Sequence, residues 1–312
     1  MRRGIRLALV IAVVAIIWGG VFWGGTWYRA MRPAALMKRL PTADALVVYF
    51  DFAALRRAGI LNLVESQKAG ADPEYQDFVR KTGFDYQRDL DTAIAAFAPT
   101  GKYLLLHGRF DWNRLRSYVQ SEGGRCDGEL CRMAGSTPDR QISFFPLGFS
   151  WMRPLRGNWM ALAVSRDESA ALRMQNENPS AAFGLPAAPV WLSISSAVLK
   201  SGESLPTGTR PFARNMANAD SVILSFAPDA NRLAAKLDVR CHSNQDAAEL
   251  VSQLSRTTEL LRAMIVREHH TPNPADLSGV LTSGSFRNEG PRVFGYWPIE
   301  RAFLENLLGG KS

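Results

Sequence analysis

The chain has 312 residues, 46% of them apolar, and carries 37 Lys and Arg against 29 Asp and Glu, a formal net charge of +8. That basicity is local: residues 1–39 hold seven of the cations and none of the anions, leaving 30 basic against 29 acidic side chains on the other 273 residues. A nucleic-acid role, which wants a basic stripe on the folded part, is therefore excluded, and so is wholesale disorder.

Leu7 to Tyr28 (LALVIAVVAIIWGGVFWGGTWY) holds no charged residue and has about the length an α-helix needs to cross a bilayer core of roughly 30 Å. It lacks the polar stripe of a core helix. Trp18, Trp23, Trp27 and Tyr28 crowd its C-terminal half, where interfacial aromatics anchor a span at the headgroups. A cleaved signal peptide would have a shorter apolar run ending in small residues, whereas this one leaves through Trp27-Tyr28-Arg29. No cysteine follows to take a lipid. The expectation is an uncleaved anchor over residues 1–29 that meets the bilayer directly. Cations flank it on both sides, so the positive-inside rule barely discriminates. The short tail favours a single-pass protein of the bacterial cytoplasmic membrane, with its large domain in the periplasm or outside the cell.

Residues 30–43 read as a polar tether broken by Pro33 and Pro41. Ala45 to Phe52 is apolar and β-rich and predicts a buried strand. Helical spacing follows over Ala53–Glu65 and Pro73–Lys81, then two strands, Thr92–Ala98 and Lys102–Phe110, around Pro99-Thr100-Gly101. Asp111 caps a helix to about Glu122. Strands are expected over Arg125–Met133, Gln141–Pro146 and Asn158–Ser165, and a helix from Asp167 to Gln175. Cys126 and Cys131 bracket a turn sequence headed by Asp127-Gly128, and paired flanks would bring them to disulfide distance. Such a bridge fits an oxidising compartment. Cys241 reads as a small core residue.

A second copy of this plan follows. Asp91-Thr92 with Phe97-Ala98-Pro99 recurs as Asp220-Ser221 with Phe226-Ala227-Pro228, and Val47–Gly59 overlies Val190–Gly202. The helix from Asn113 is matched by Asn244–Glu268, where Ala247, Leu250, Val251, Leu254 and Leu261 form an apolar stripe. Each half closes with a strand entering a helix, Ala161–Gln175 and Val293–Leu308. The expected fold is α+β: one transmembrane helix, then two ferredoxin-like, split βαβ repeats (44–178 and 190–312, with linker 179–189). Helices would lie on one face of antiparallel sheets that could merge into one. This layout resembles uncharacterised bacterial proteins with an N-terminal membrane anchor and tandem α+β repeats. The resemblance is of layout and implies no site residue.

Candidate sites are few. Phe149, Trp151, Met152, Arg153 and Leu155 lie in a stretch broken by Pro146, Gly148, Pro154 and Gly157, and an apolar, Arg-bearing loop suggests a contact surface. The plainer reading is a lid folded over the first half. Adjacent His269 and His270 point to different helix faces, and Cys241 and His242 to opposite strand faces, so neither pair suits a metal or proton transfer. His107 reads as a half-buried structural residue. Asp85, Asp89 and Asp91 lack calcium-loop spacing and read as caps and solvated groups. No metal, cofactor or catalytic site is expected. The functional expectation is a non-enzymatic, membrane-anchored binding or scaffold protein of the cell envelope with a protein partner. The alternatives are a carrier of amphiphiles between sheet and helices, and an enzyme of unrecognised type.

Overall fold

A computed structural model describes residues 33–61, 73–135, 137, 140–148, 159–177, 184–201, 216–229, 232–268 and 271–308. The expected membrane span, with Trp18, Trp23, Trp27 and Tyr28, lies outside these residues. Among the described residues no helix is long and apolar enough to cross a membrane.

The first half runs α1 (Pro33–Met37), β1 (Leu46–Asp51), α2 (Phe52–Arg57), α3 (Pro73–Thr82), α4 (Tyr86–Asp89), β2 (Leu90–Ala98), β3 (Gly101–Gly108) and α5 (Trp112–Ser121). Strands β4 (Arg125–Asp127), β5 (Leu130–Ala134), β6 (Gln141–Pro146) and β7 (Trp159–Ser165) follow, then a 3-10 turn at Ala170–Gln175. The second half runs β8 (Val190–Ser195), α6 (Ser196–Ser201), β9 (Ala219–Asp229), β10 (Arg232–Cys241), α7 (Asn244–Arg267), α8 (Leu277–Thr282), β11 (Ser285–Glu289), β12 (Arg292–Ile299) and α9 (Arg301–Leu308).

The protein is mixed α+β, and its strands form one sheet of 12, in the order β11-β12-β10-β9-β8-β1-β2-β3-β7-β6-β5-β4. Every neighbouring pair is antiparallel. The halves meet at β1 and β8, where Leu46 faces Ile194, Val48 faces Leu192 and Tyr49 faces Trp191. This order differs from the expected ferredoxin-like one. In that fold the first two strands point the same way with the third between them. Here β1 and β2, and likewise β8 and β9, are adjacent and opposed. The chain from Phe52 to Asp89 leaves and re-enters the sheet at the same end, so it returns as a neighbour rather than crossing over. Only the second helical connection keeps the split form. Helix α7 runs back along the sheet, so β11 is parallel to β10 with β12 inserted between them.

Pleating divides the strand residues between two faces. On one face Leu46, Leu192, Ile194, Val222, Leu237, Val239 and Val293 pack with Val198, Leu199, Ala247, Leu250 and Leu254 of α6 and α7. Further along that face Phe144, Met160, Leu106 and Leu162 meet Leu115 and Val119 of α5. The opposite face is covered over the first half, where Val47, Tyr49, Ile94, Tyr103, Leu105 and Trp191 pack against Leu36, Met37, Leu40, Ala171 and Met174. Helices were expected on one face only. The 3-10 turn, expected as an ordinary helix, lies on the other with α1. The stretch read as a tether is packed into the core as well. Its Leu36, Met37 and Leu40 are fully buried or nearly so, because a turn of helix after Pro33 puts them on one side.

Local signals explain the boundaries. The Asp111 carboxylate accepts from the N–H of Asn113 and of Arg114 (both 3.1 Å) and starts α5. Ser243 accepts from Asp246 N–H at the start of α7. Gly101 closes the β2–β3 hairpin at φ 152°, and a Cβ there would sit 2.7 Å from the Val164 carbonyl, so only glycine fits. Both edge strands are short and charged, Arg125–Asp127 and Ser285–Glu289, which discourages edge-to-edge pairing.

Trp191 is fully buried and stacks on Tyr49 across the β1–β8 seam, ring centroids 5.2 Å apart and nearly parallel. Its indole N–H has no hydrogen-bond partner. Trp191→Ala should therefore destabilise the protein by about 3–5 kcal/mol in urea unfolding. Trp191→Phe, which keeps the stack and removes the orphaned donor, should cost well below that. Equal losses from both variants would show that the stack contributes nothing.

Candidate functional site

The opposite sheet face behaves differently in the second half. On β10, β12 and β11, alternate residues point away from α7: Lys236, Asp238 and Arg240, then Arg292, Phe294 and Tyr296, then Arg287 and Glu289. Cross-strand registers align Asp238, Phe294 and Arg287 in one row, and Arg240, Arg292 and Glu289 in the next. Lys236, Arg240, Arg287, Glu289 and Arg292 are exposed, while Phe294 is half-buried. The Arg287 and Arg292 guanidinium carbons lie 4.9 and 5.0 Å from the Phe294 ring centroid, a double cation–π contact. Arg292 also donates through Nε to Asp238 (3.2 Å) and pairs through Nη2 with its second oxygen, and Arg287 pairs with Glu289. At the far end of β12, the Tyr296 hydroxyl donates to Asp229, whose carboxylate raises the phenol above its ordinary pKa. Arg232 donates to the same hydroxyl (3.3 Å). On the buried side Gly295 leaves room for the Trp297 ring, which a Cβ would approach to 3.0 Å. The result is an open sheet face with more cations than anions, on which two arginines lie against one aromatic ring.

A second surface lies at the end of α7. Ala247, Leu250, Leu254 and Thr258 face the core, and the outward side begins polar with Glu249, Ser252, Gln253 and Arg256. Beyond Glu259 that side turns apolar: Leu260 is 64% exposed, Met264 59% and Val266 57%. Leu277, at the start of α8, is 57% exposed as well. Arg262 donates to the Thr282 carbonyl (2.6 Å) and ties α8 to α7. Glu259, Arg262, Ala263, Val266 and Arg267 line a shallow depression of about 470 Å³ there.

The residues singled out by sequence are engaged locally. Cys126 and Cys131 face each other across β4 and β5, and their sulfurs are bonded. Gly128, at φ 62°, takes the first central position of the two-residue turn, as a hairpin of this length requires. Their cluster includes Val119 of α5. Asp85 caps α4 and accepts from the Tyr75 hydroxyl (2.9 Å). Burial raises the Asp89 carboxyl. The hydrogen bond from Arg88, the Asp85 N–H and the Arg109 charge outweigh it and hold it below the usual carboxylate range. Asp91 sits at an irregularity in β2, within 3.4 Å of Arg56 and 3.7 Å of His107. Cys241 is buried while His242 faces outward and pairs with Asp220 (2.8 Å), so the two do not meet. Among the described residues no three metal-ligating groups converge. The loop of Phe149, Trp151, Met152, Arg153 and Leu155 lies outside the described residues, as do His269 and His270. Sequence reading missed both surfaces. The alternation Arg292-Phe294-Tyr296 against Val293-Gly295-Trp297 carries a signal for the open face, and the apolar run Leu260–Val266 one for the helix end.

No family model matches this chain, and no curated protein does. Among solved structures, crystal form III of a protein titled TP0453 superposes with a TM-score of 0.46 at 12% identity, over 88% of this chain and 97% of that one. Form IV gives 0.42 at 10% over 87% and 95%, and form I gives 0.45 at 12% over 85% and 93%. Overlaps this loose carry no inference about function.

His107 is half-buried against Trp159, ring centroids 4.8 Å apart. Burial pushes its pKa below the ordinary value, with Asp91 pulling the other way. The folded protein thus binds this proton less readily than the unfolded chain does. Stability from His107 should be complete above about pH 6.5 and decline as pH falls through the folded value. An NMR titration should place the His107 midpoint below the ordinary histidine value of about 6.5, and His107→Gln should flatten the decline. A His107 midpoint at or above about 6.5 would contradict this.

Proposed function

We propose that this chain is a membrane-anchored envelope protein whose folded part lies outside the cytoplasm and presents a binding surface without performing chemistry. The observation that carries the reading is the open face of β10, β12 and β11. Arginine and aromatic side chains are the ones enriched where proteins meet. Phe294 and its two arginines place them on a rigid sheet, which lowers the entropy lost on binding. Elsewhere Asp85 and Asp111 cap helices, and Asp89, Asp91 and His242 sit in local pairs. Residues 7–28 supply the anchor. The bonded Cys126 and Cys131 favour an oxidising compartment. We read the two halves as an internal duplication. Strand, helix, hairpin and helix recur in the same order on either side of β1–β8, and the first half adds two strands before its last. Aligning the strand-to-helix junctions Asp51–Phe52 and Ser195–Ser196 shifts the sequence match by one residue, which restores the buried face at Val47 and Trp191.

A photo-crosslinking amino acid at Phe294, expressed in the full chain in cells, should give a discrete protein adduct, and one at Gln253 should not. In the same cells Cys126 and Cys131 should resist a thiol reagent after denaturation until reduced, with Cys241 alone reacting. No adduct at position 294, or three reactive thiols without reduction, would defeat the reading.

A further inference from the structure

The end of α7 calls for an occupant of its own. The outward side of this helix changes from Glu249, Ser252, Gln253 and Arg256 to Leu260, Ala263, Met264 and Val266 within one continuous element. A helix end held in water has no reason to make that change. Arg256, Arg262 and Arg267 are spaced along the same turns against Glu259 and Glu268, and α8, tied on through Arg262, exposes Leu277. Apolar side chains with arginines at their margin are the chemistry of an interfacial helix on an anionic bilayer.

Topology says which surface is near. Helix α7 leaves β10 at the end of the sheet where β1 begins, and runs to the opposite end, where α8 and α9 lie. The side chain of Arg39, two residues past α1, reaches toward the same end. The Arg39 guanidinium donates to the Gln175 carbonyl (2.6 Å), and Gln175 borders a cleft with Leu147 and Gly148, just past the end of β6. By strand alternation β6 finishes where β1 does. The apolar run of the N-terminus stops at Tyr28, five residues before α1 starts at Pro33, a distance of at most about 18 Å even if fully extended. A chain held that closely by its root has little freedom to keep this end of the sheet away from the membrane.

We infer that the C-terminal turns of α7, with Leu260 and Met264 leading, dock onto the same bilayer that holds the anchor. The sheet then stands end-on to the membrane, leaving the Phe294 face free at its side. This rests on the anchored reading above and adds an orientation to it.

Site-directed spin labelling of the full chain tests it, in vesicles of phosphatidylethanolamine and phosphatidylglycerol into which the protein is reconstituted through its own N-terminus. In a Cys241→Ala background, a nitroxide at Met264→Cys should be more accessible to oxygen than to a water-soluble nickel chelate, at a depth of about 5–10 Å. A nitroxide at Gln253→Cys, on the same side of the helix two turns before Leu260, should show the reverse. In uncharged phosphatidylcholine vesicles the label at 264 should shift toward water, since the arginines lose their counter-charges. Chain retained in vesicles with position 264 as aqueous as 253 would overturn this inference while leaving the anchor standing. Dipolar broadening between labels, or shelter from both reagents, would assign the patch to a second copy or another protein and also overturn it. Failure of the chain to stay with the vesicles would overturn the anchored reading and this inference together.

Discussion

The pairing of β1 with β8 is the constraint on which the molecule depends. Five residue pairs join the strands, and the ladder is prolonged by the Asp51 N–H donating to the Pro189 carbonyl at 2.7 Å. Without it there would be two smaller sheets, each with a raw apolar edge. With it, both halves bury residues of the other: Trp191 completes the core under α1, and Leu46 joins the core under α7. Only the outermost strands are left unpaired, and those are the short charged ones. A sheet this wide needs such an arrangement, because long open edges invite association.

Because the two faces are filled differently, the sheet also divides the labour of the molecule. One face is largely apolar, and helices cover its two cores. The other is apolar and covered only over the first half, by α1 and the 3-10 turn. Over β10, β12 and β11 it becomes a charged, open surface whose inward neighbours (Val239, Val293, Leu237) remain in the core. The packed core on one side thus holds the open surface on the other. Asp89, Asp111, Asp220 and Asp238 each meet a partner close in space: Arg109, the start of α5, His242 and Arg292 in turn.

Much of the element list was legible. Periodicity located α3 and α7, capping aspartate located α5, and Pro99-Thr100-Gly101 located the first hairpin, because these signals act over a few residues. Adjacency of strands was not legible. The order strand–helix–strand is the same whether the helix crosses the sheet or returns to the end it left, and the broken helices between Phe52 and Asp89 do the latter. The buried role of Leu36 and Leu40 was hidden by two prolines that suggest a tether, although Pro33 in fact opens a helix. Strand β11 (Ser285–Glu289) escaped because an edge strand needs no apolar alternation. The open face and the end of α7 are surfaces, and surfaces are defined by what fails to cover them, which only the fold can show.

The central claim is that the two halves make one cooperative sheet through the β1–β8 seam. Native-state hydrogen exchange measures it directly. Amides of residues 46–51 and 190–195 should exchange last, together, and with the free energy of global unfolding, alongside those of β2 and β9. Exchange of either half at a distinctly lower free energy, with β1 or β8 losing protection while the other keeps it, would contradict the account.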